Sequence, residues 1–284
     1  MPEISEIRPS PIAGRWYEGD PARLASQVDT FLSEASIPPI EGEVVAVIAP
    51  HAGHKYSGLT AAHAFKTVLG QSRELVVVVS PLHGYLQARA LTSAHRAYQT
   101  PLGAVWIDQP ALDALDNNLQ QRVGWKLARV VYDQEHSLEI ELPFLQRALK
   151  GDFSLLPVML RTQEEEDVRT LGFALADVLR GRQALLVAST DLSHFYPERT
   201  ANLLDSEMLR QIAAFSPEGA LQAEREEKGF ACGVAAVAAV LWAARQLGAN
   251  AVEVLHHSTS ADETGDRHSV VGYGAAVVLK RNGK

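Results

Sequence analysis

What this sequence lacks is informative. It has one cysteine in 284 residues, so no disulfide can form within the chain and an oxidising compartment offers it nothing. No stretch is rich in Lys and Arg, and the formal net charge is −8 with an isoelectric point near 5.7. A nucleic-acid or anionic-membrane partner is therefore disfavoured on electrostatic grounds. The first residues, MPEISEIRPSPIAGRWYEGD, contain no apolar signal core and read as the start of a mature chain. The longest apolar run, ACGVAAVAAVLWA at 231–243, is about thirteen residues where a membrane span needs about 20. It predicts a buried helix instead, and the cytoplasm is the address these absences suggest. No repeat, low-complexity tract or long Pro/Gly/Ser linker divides the chain, so one domain is expected.

What is present is an ordinary globular composition, 46% apolar and 21% charged, with enough apolar material for a large core. Short apolar runs alternate with longer helical patterns, as in stacked β-α units on a largely parallel or mixed sheet. Strands are predicted at 44–50, 75–80, 88–92, 105–108, 153–158, 184–189, 251–256 and 270–278. Several are apolar throughout, which suits strands covered on both faces. Helices are predicted at 58–69, 110–119, 138–149, 165–179, 201–213, 217–226 and 233–247. Four consecutive acidic residues open the helix at 165–179, a favourable placement against the helix dipole.

In open α/β sheets the loops at the carboxyl ends of strands converge and form the binding site. Three predicted strands end alike, in IAPHAGHKYSG at 48–58, VSPLHGY at 79–85 and ASTDLSHFY at 188–196. His51, His83, Asp191 and His194 thereby become site candidates. The last two are three residues apart, so one helical turn would put them on one face. His54 and His63 read as residues behind the site or on the surface, and His95 as structural. Of His256 and His257, neighbours on a strand, at most one can face a pocket. DQEHSLEIELPFL at 133–145 puts Glu135 and His136 at a helix start, ahead of a packing face of Leu138, Ile140, Leu142 and Leu145. The lone cysteine, Cys232, opens the apolar helix, where the dipole favours its thiolate, although a free cysteine is more often an inert buried group. Two imidazoles and a thiolate form a donor set suited to zinc, copper or iron. His51, His83 and Cys232 are accordingly expected to meet in one polar pocket, although their spacing is no local motif.

Taken together, RPSPIAGRWYEGD, IAPHAGHKYSG, SPLHGY, the TPLG at 100–103, EHSLEIELPFL, STDLSHF, CGVAA and TGDRHSVVGYGAAVV resemble the Memo-like family in content and order. Its prokaryotic members are often called AmmeMemoRadiSam system protein B. The resemblance covers roughly residues 8–279. It implies the class III extradiol dioxygenase fold, a single α/β/α sandwich around a mixed sheet. It aligns His51, His83 and Cys232 with the family's metal ligands and Asp191 and His194 with further pocket residues, and it gives His136 no firm role. Some relatives have a second histidine after the position of His83, where this chain has Gly84; the trio is intact. The resemblance implies one metal ion per chain, iron or copper first and zinc second. It also suggests AMMECR1-type and radical SAM proteins as partners. The dioxygenases use a carboxylate where Cys232 stands here, so ring cleavage does not transfer with the fold. Three functions follow as alternatives. The leading one is a metal-dependent, dioxygenase-like oxidoreductase acting on an unknown small molecule, with His194 as general acid/base, Asp191 orienting it and His136 as a second proton carrier. The others are a zinc hydrolase and a non-catalytic module that binds a peptide or protein.

Overall fold

The structure is a computed structural model describing residues 5–282. In chain order its elements are β1 (Ile7–Arg8), α1 (Pro21–Glu34), β2 (Glu43–Ala49), α2 (His54–Lys66), β3 (Leu75–Pro81), β4 (Ala90–Ser93), β5 (Ala97–Thr100), β6 (Gly103–Trp106), α3 (Gln109–Val123) and β7 (Ala128–Val130). A 3-10 turn at Glu139–Glu141 leads into α4 (Leu142–Ala148), followed by β8 (Ser154–Leu160), α5 (Glu165–Leu179), β9 (Ala184–Ser189) and β10 (His194–Tyr196). The chain ends with α6 (Glu198–Ala213), α7 (Pro217–Arg225), α8 (Val234–Gln246), β11 (Ala251–Thr259), α9 (Ala261–Thr264) and β12 (Val270–Lys280).

The centre of the large mixed sheet is four parallel strands in the order β2-β9-β3-β8. Antiparallel β12 and β11 extend it on one side, antiparallel β4 and then β7 on the other. A small separate sheet joins β1, β5 and β6. The central strands are buried almost end to end, which explains their uninterrupted apolar sequences. One group of helices, α3, α5, α7 and α8, packs around α8, which lies on β2, β3 and β9. A second group, α1, α2 and α4, packs around α2, which lies on β2, β11 and β12. One continuous core runs through both groups and the sheet, giving an α/β sandwich.

The apolar run at 231–243 is α8, with Val234 to Ala244 all buried. Among the described residues no helix is long and apolar enough to cross a membrane. Several sequence expectations change, three of them near the site or the core. First, α1 was not anticipated, although Asp20 caps it, Pro21 opens it and Leu24, Val28 and Leu32 form its buried stripe. Second, the helix expected at 138–149 starts as the 3-10 turn, with Pro143 in the first turn of α4. Third, no helical turn joins Asp191 to His194. β10 begins at His194 and pairs with β12, and the Gly272 N–H donates to the Ser193 carbonyl at 2.8 Å, so sheet pairing sets this segment.

Candidate metal centre

The parallel register brings the functional loops together. Ala49 is level with Ser189, and Pro81 with Leu160, so the residues that follow leave the same edge of the sheet. His51, just past β2, is buried, and its backbone N–H donates to Asp191 Oδ1 at 2.8 Å. Its Nδ1 lies 2.9 Å from Ser189 Oγ. His83, just past β3, is more open. Its backbone N–H donates to Glu135 Oε2 at 2.6 Å, and its Nδ1 lies 3.0 Å from Glu135 Oε1. With both Nδ1 atoms engaged, each ring has Nε2 left to offer, the arrangement that orients histidine ligands in metal sites.

Glu135 also accepts from the backbone N–H groups of His136 and Ser137, both at 2.9 Å. Burial alone would push this carboxyl up, but the His83 and backbone hydrogen bonds outweigh it and hold the group well below the usual carboxylate range. For His83 the same contact works in the other direction: burial disfavours the imidazolium, yet Glu135 raises the pKa overall. His136 stacks on His83 with ring centroids 4.8 Å apart and stands 5.5 Å from His51; Trp16 covers it at 4.1 Å. Burial lowers the pKa of His136 to about 4 and holds His51 well below the ordinary value. Each of His51, His83 and His136 offers one ring nitrogen, and these three lie within 4.8 Å of one another, a group that can hold a metal ion.

Cys232 touches this cluster through His51: Sγ and Nε2 are 3.1 Å apart. The sulfur also accepts from the Asp191 N–H at 3.3 Å. The expectation that a helix terminus would favour the thiolate is overturned. α8 begins only at Val234, and burial of the sulfur, reinforced by the Asp191 carboxylate, pushes the thiol well above its ordinary value. Asp191 itself is raised to about 7, because burial outweighs the hydrogen bonds it accepts from the His51 and Ala52 N–H groups. His194 is placed by a 2.8 Å contact from Nδ1 to the Leu192 carbonyl, and burial lowers its pKa. Phe195, after it, has a φ of 65° and exposes most of its ring.

The sequence profile described as Memo-like protein matches residues 8–277. The chain belongs to this family. It is 34% identical over 276 residues to a MEMO1 family protein of Methanothermobacter thermautotrophicus, covering 94% of this chain and 98% of the relative. A MEMO1 family protein of Nitrosopumilus maritimus is 32% identical over 274 residues, covering 95% and 98%. One from Methanopyrus kandleri is 33% identical over 288 residues, also covering 95% and 98%.

The motifs that mark this Memo-like chain also brace the centre. Arg8 is buried and spans the loop carrying Glu135: it donates to Asp133 Oδ1 at 2.8 Å, to the Glu135 carbonyl at 2.8 Å and to Glu139 Oε2 at 2.5 Å. Tyr17 donates to Glu139 Oε1 at 2.7 Å. Sequence reasoning passed over Arg8, Trp16, Glu135, Glu141 and Ser189 as site residues; their one signal was membership of these motifs. Five other histidines are occupied elsewhere. His54 is fully buried, its Nε2 3.3 Å from the Ile140 carbonyl. His63 stacks on His256 at 4.0 Å, His257 Nε2 lies 2.9 Å from Asp205, and His95 Nδ1 contacts the Ser5 carbonyl at 2.7 Å. Neither His256 nor His257 therefore faces the centre.

Proposed function

We propose that this protein is a metal-dependent oxidoreductase in which His51, His83 and Cys232 hold iron or copper. The observation that carries this reading is the 3.1 Å approach of Cys232 Sγ to His51 Nε2, beside two imidazoles whose Nδ1 atoms are already anchored. Sulfur with imidazole is a borderline-soft donor set, suited to these metals. A bound ion would supply Lewis acidity and one-electron chemistry at this point. The chain's own residues supply the rest. Asp191, with a pKa of about 7, can give and take a proton near neutrality. His194 uses Nδ1 on Leu192 and keeps Nε2 as a proton acceptor. His136, neutral at physiological pH, is a second acceptor. A cavity of about 250 Å³ lined by His83, Cys232, Leu82, Leu160, Arg161 and Gln163 offers room for a small substrate.

A second reading rests on the close group of His51, His83 and His136. Three imidazoles favour zinc and a bound water, hence hydrolysis. Metal content and competitive affinity across single variants separate the two. The oxidoreductase reading expects His51→Ala, His83→Ala and Cys232→Ser each to lower affinity strongly. His136→Ala and His194→Ala should leave metal content nearly intact while any turnover falls by about 10²–10⁴-fold, as for a lost general acid/base. Oxygen uptake by the iron- or copper-loaded protein should accompany the first pattern. Full affinity in Cys232→Ser with loss in His136→Ala, and ester hydrolysis by the zinc form, would contradict it.

A further inference from the structure

Three partners converge on the hydroxyl of Ser189, at the end of β9. They are the Ser137 carbonyl oxygen at 2.7 Å, Glu141 Oε1 at 2.6 Å and His51 Nδ1 at 2.9 Å. A hydroxyl has one proton to donate and two lone pairs to accept with. A carbonyl oxygen can only accept, so the Ser189 proton goes to Ser137. Each remaining partner must then bring its own proton: His51 an Nδ1–H, Glu141 a carboxylic O–H. The surroundings of Glu141 agree. Its side chain is wholly buried, and Oε2 has no hydrogen-bond partner among the described residues. An ionised carboxylate there would place a full charge on one bare oxygen and press the other against a lone pair. A neutral acid has its single proton satisfied and leaves only a carbonyl oxygen unpaired, a much smaller penalty. The Asp191 carboxyl, where charged, further disfavours ionisation of Glu141.

We infer that Glu141 is a permanently protonated carboxylic acid that, through Ser189, locks His51 in its Nδ1–H form and keeps the Nε2 lone pair turned to Cys232. The relay itself stands on the hydrogen-bond count; the use of Nε2 as a ligand rests on the function proposed above. Glu141 is a positioning residue, acting on His51 through Ser189 without touching it. Ser137 completes the frame, because its own hydroxyl donates to the Pro81 carbonyl at 2.7 Å, tying the relay to the strand that leads to His83.

The relay is read on intact, metal-free protein at neutral pH. An infrared difference spectrum of wild type minus E141Q should contain the C=O stretch of a protonated carboxylic acid as a wild-type band. Nitrogen-15 NMR of the imidazoles should find His51 protonated at Nδ1. E141Q retains an N–H donor to Ser189, so it should keep that tautomer and bind zinc within about threefold of wild type. E141M has no donor and should lose the tautomer preference, with zinc affinity falling by about 10–100-fold, the usual effect of removing a partner behind a metal ligand. Absence of the acid band, a His51 proton on Nε2, or equal impairment of E141Q and E141M would each overturn the relay. The infrared and NMR signals need no metal, so a protein that shows both and binds no metal keeps the relay and contradicts the proposed function instead. If E141M does not fold, the acid band and the behaviour of E141Q still decide.

Discussion

At the scale of single residues, the centre depends on where protons are allowed to sit. Glu135 is ionised by four hydrogen bonds, whereas Asp191, which accepts backbone N–H groups in a fully buried position, is raised to about 7. That contrast has a measurable consequence for stability. A carboxyl whose folded pKa lies above its unfolded value binds more protons in the native state through the window between them. Unfolding free energy therefore falls as pH rises from about 4 to about 7, by an amount of order 4 kcal/mol before relaxation and water entry reduce it. Asp191→Asn cannot titrate. Relative to wild type, the metal-free variant should gain about 1–3 kcal/mol in urea unfolding between about pH 5 and about pH 8. Parallel stability curves for the two proteins would show that Asp191 is not held protonated by burial. If Cys232 is a ligand as proposed, its raised thiol pKa makes metal affinity rise with pH, because the ligand must lose a proton to bind.

At the scale of elements, Gly233 joins β9 to α8 at close quarters. A Cβ there would meet the Ser189 carbonyl oxygen and come within 2.8 Å of Thr190 Cβ. Gly233→Ala should cost about 1–3 kcal/mol as an overpacked site and, by pushing the start of α8 away, weaken metal binding as well. Thermal unfolding and metal titration check this; a variant matching wild type in both would mean that this approach is not needed. The same contrast between local and distant causes explains what the sequence disclosed. β2, β3, β8 and β9 were legible because each is an unbroken apolar run closed by turn-forming residues. The positions of His51 and His83 followed, since they stand directly after such runs. α1 was legible in principle, through Leu24, Val28 and Leu32 behind Asp20 and Pro21, yet its stripe is narrow and polar residues dominate it. Glu135, Glu141 and Ser189 were not legible. Their side-chain links to the centre span 48 to 138 residues along the chain, and nothing in a local pattern marks a carboxylate as ionised or neutral. β10 was hidden for the same reason, being defined by its pairing with β12.

At the scale of the molecule, the centre draws on nearly the whole chain. Its residues run from position 51 to 232, and Arg8, Trp16 and Tyr17 brace it from the N-terminal end. Such a site cannot persist in the unfolded state, so any metal the folded protein binds is linked to folding. At a free metal concentration about 100-fold above Kd the gain is about 2.7 kcal/mol, which for a chain of this size raises Tm by about 4–5 °C. An unchanged Tm on adding iron, copper or zinc would mean that no folded-state site takes them up. Whether a thiolate and two imidazoles share one ion, as proposed, is decided by anomalous diffraction at the metal's absorption edge from crystals of the metal-loaded protein. One peak per chain is expected, bonded to His51 Nε2, His83 Nε2 and Cys232 Sγ. A peak bonded to His51, His83 and His136 with the sulfur outside bonding distance, or no peak near these residues at all, would contradict it.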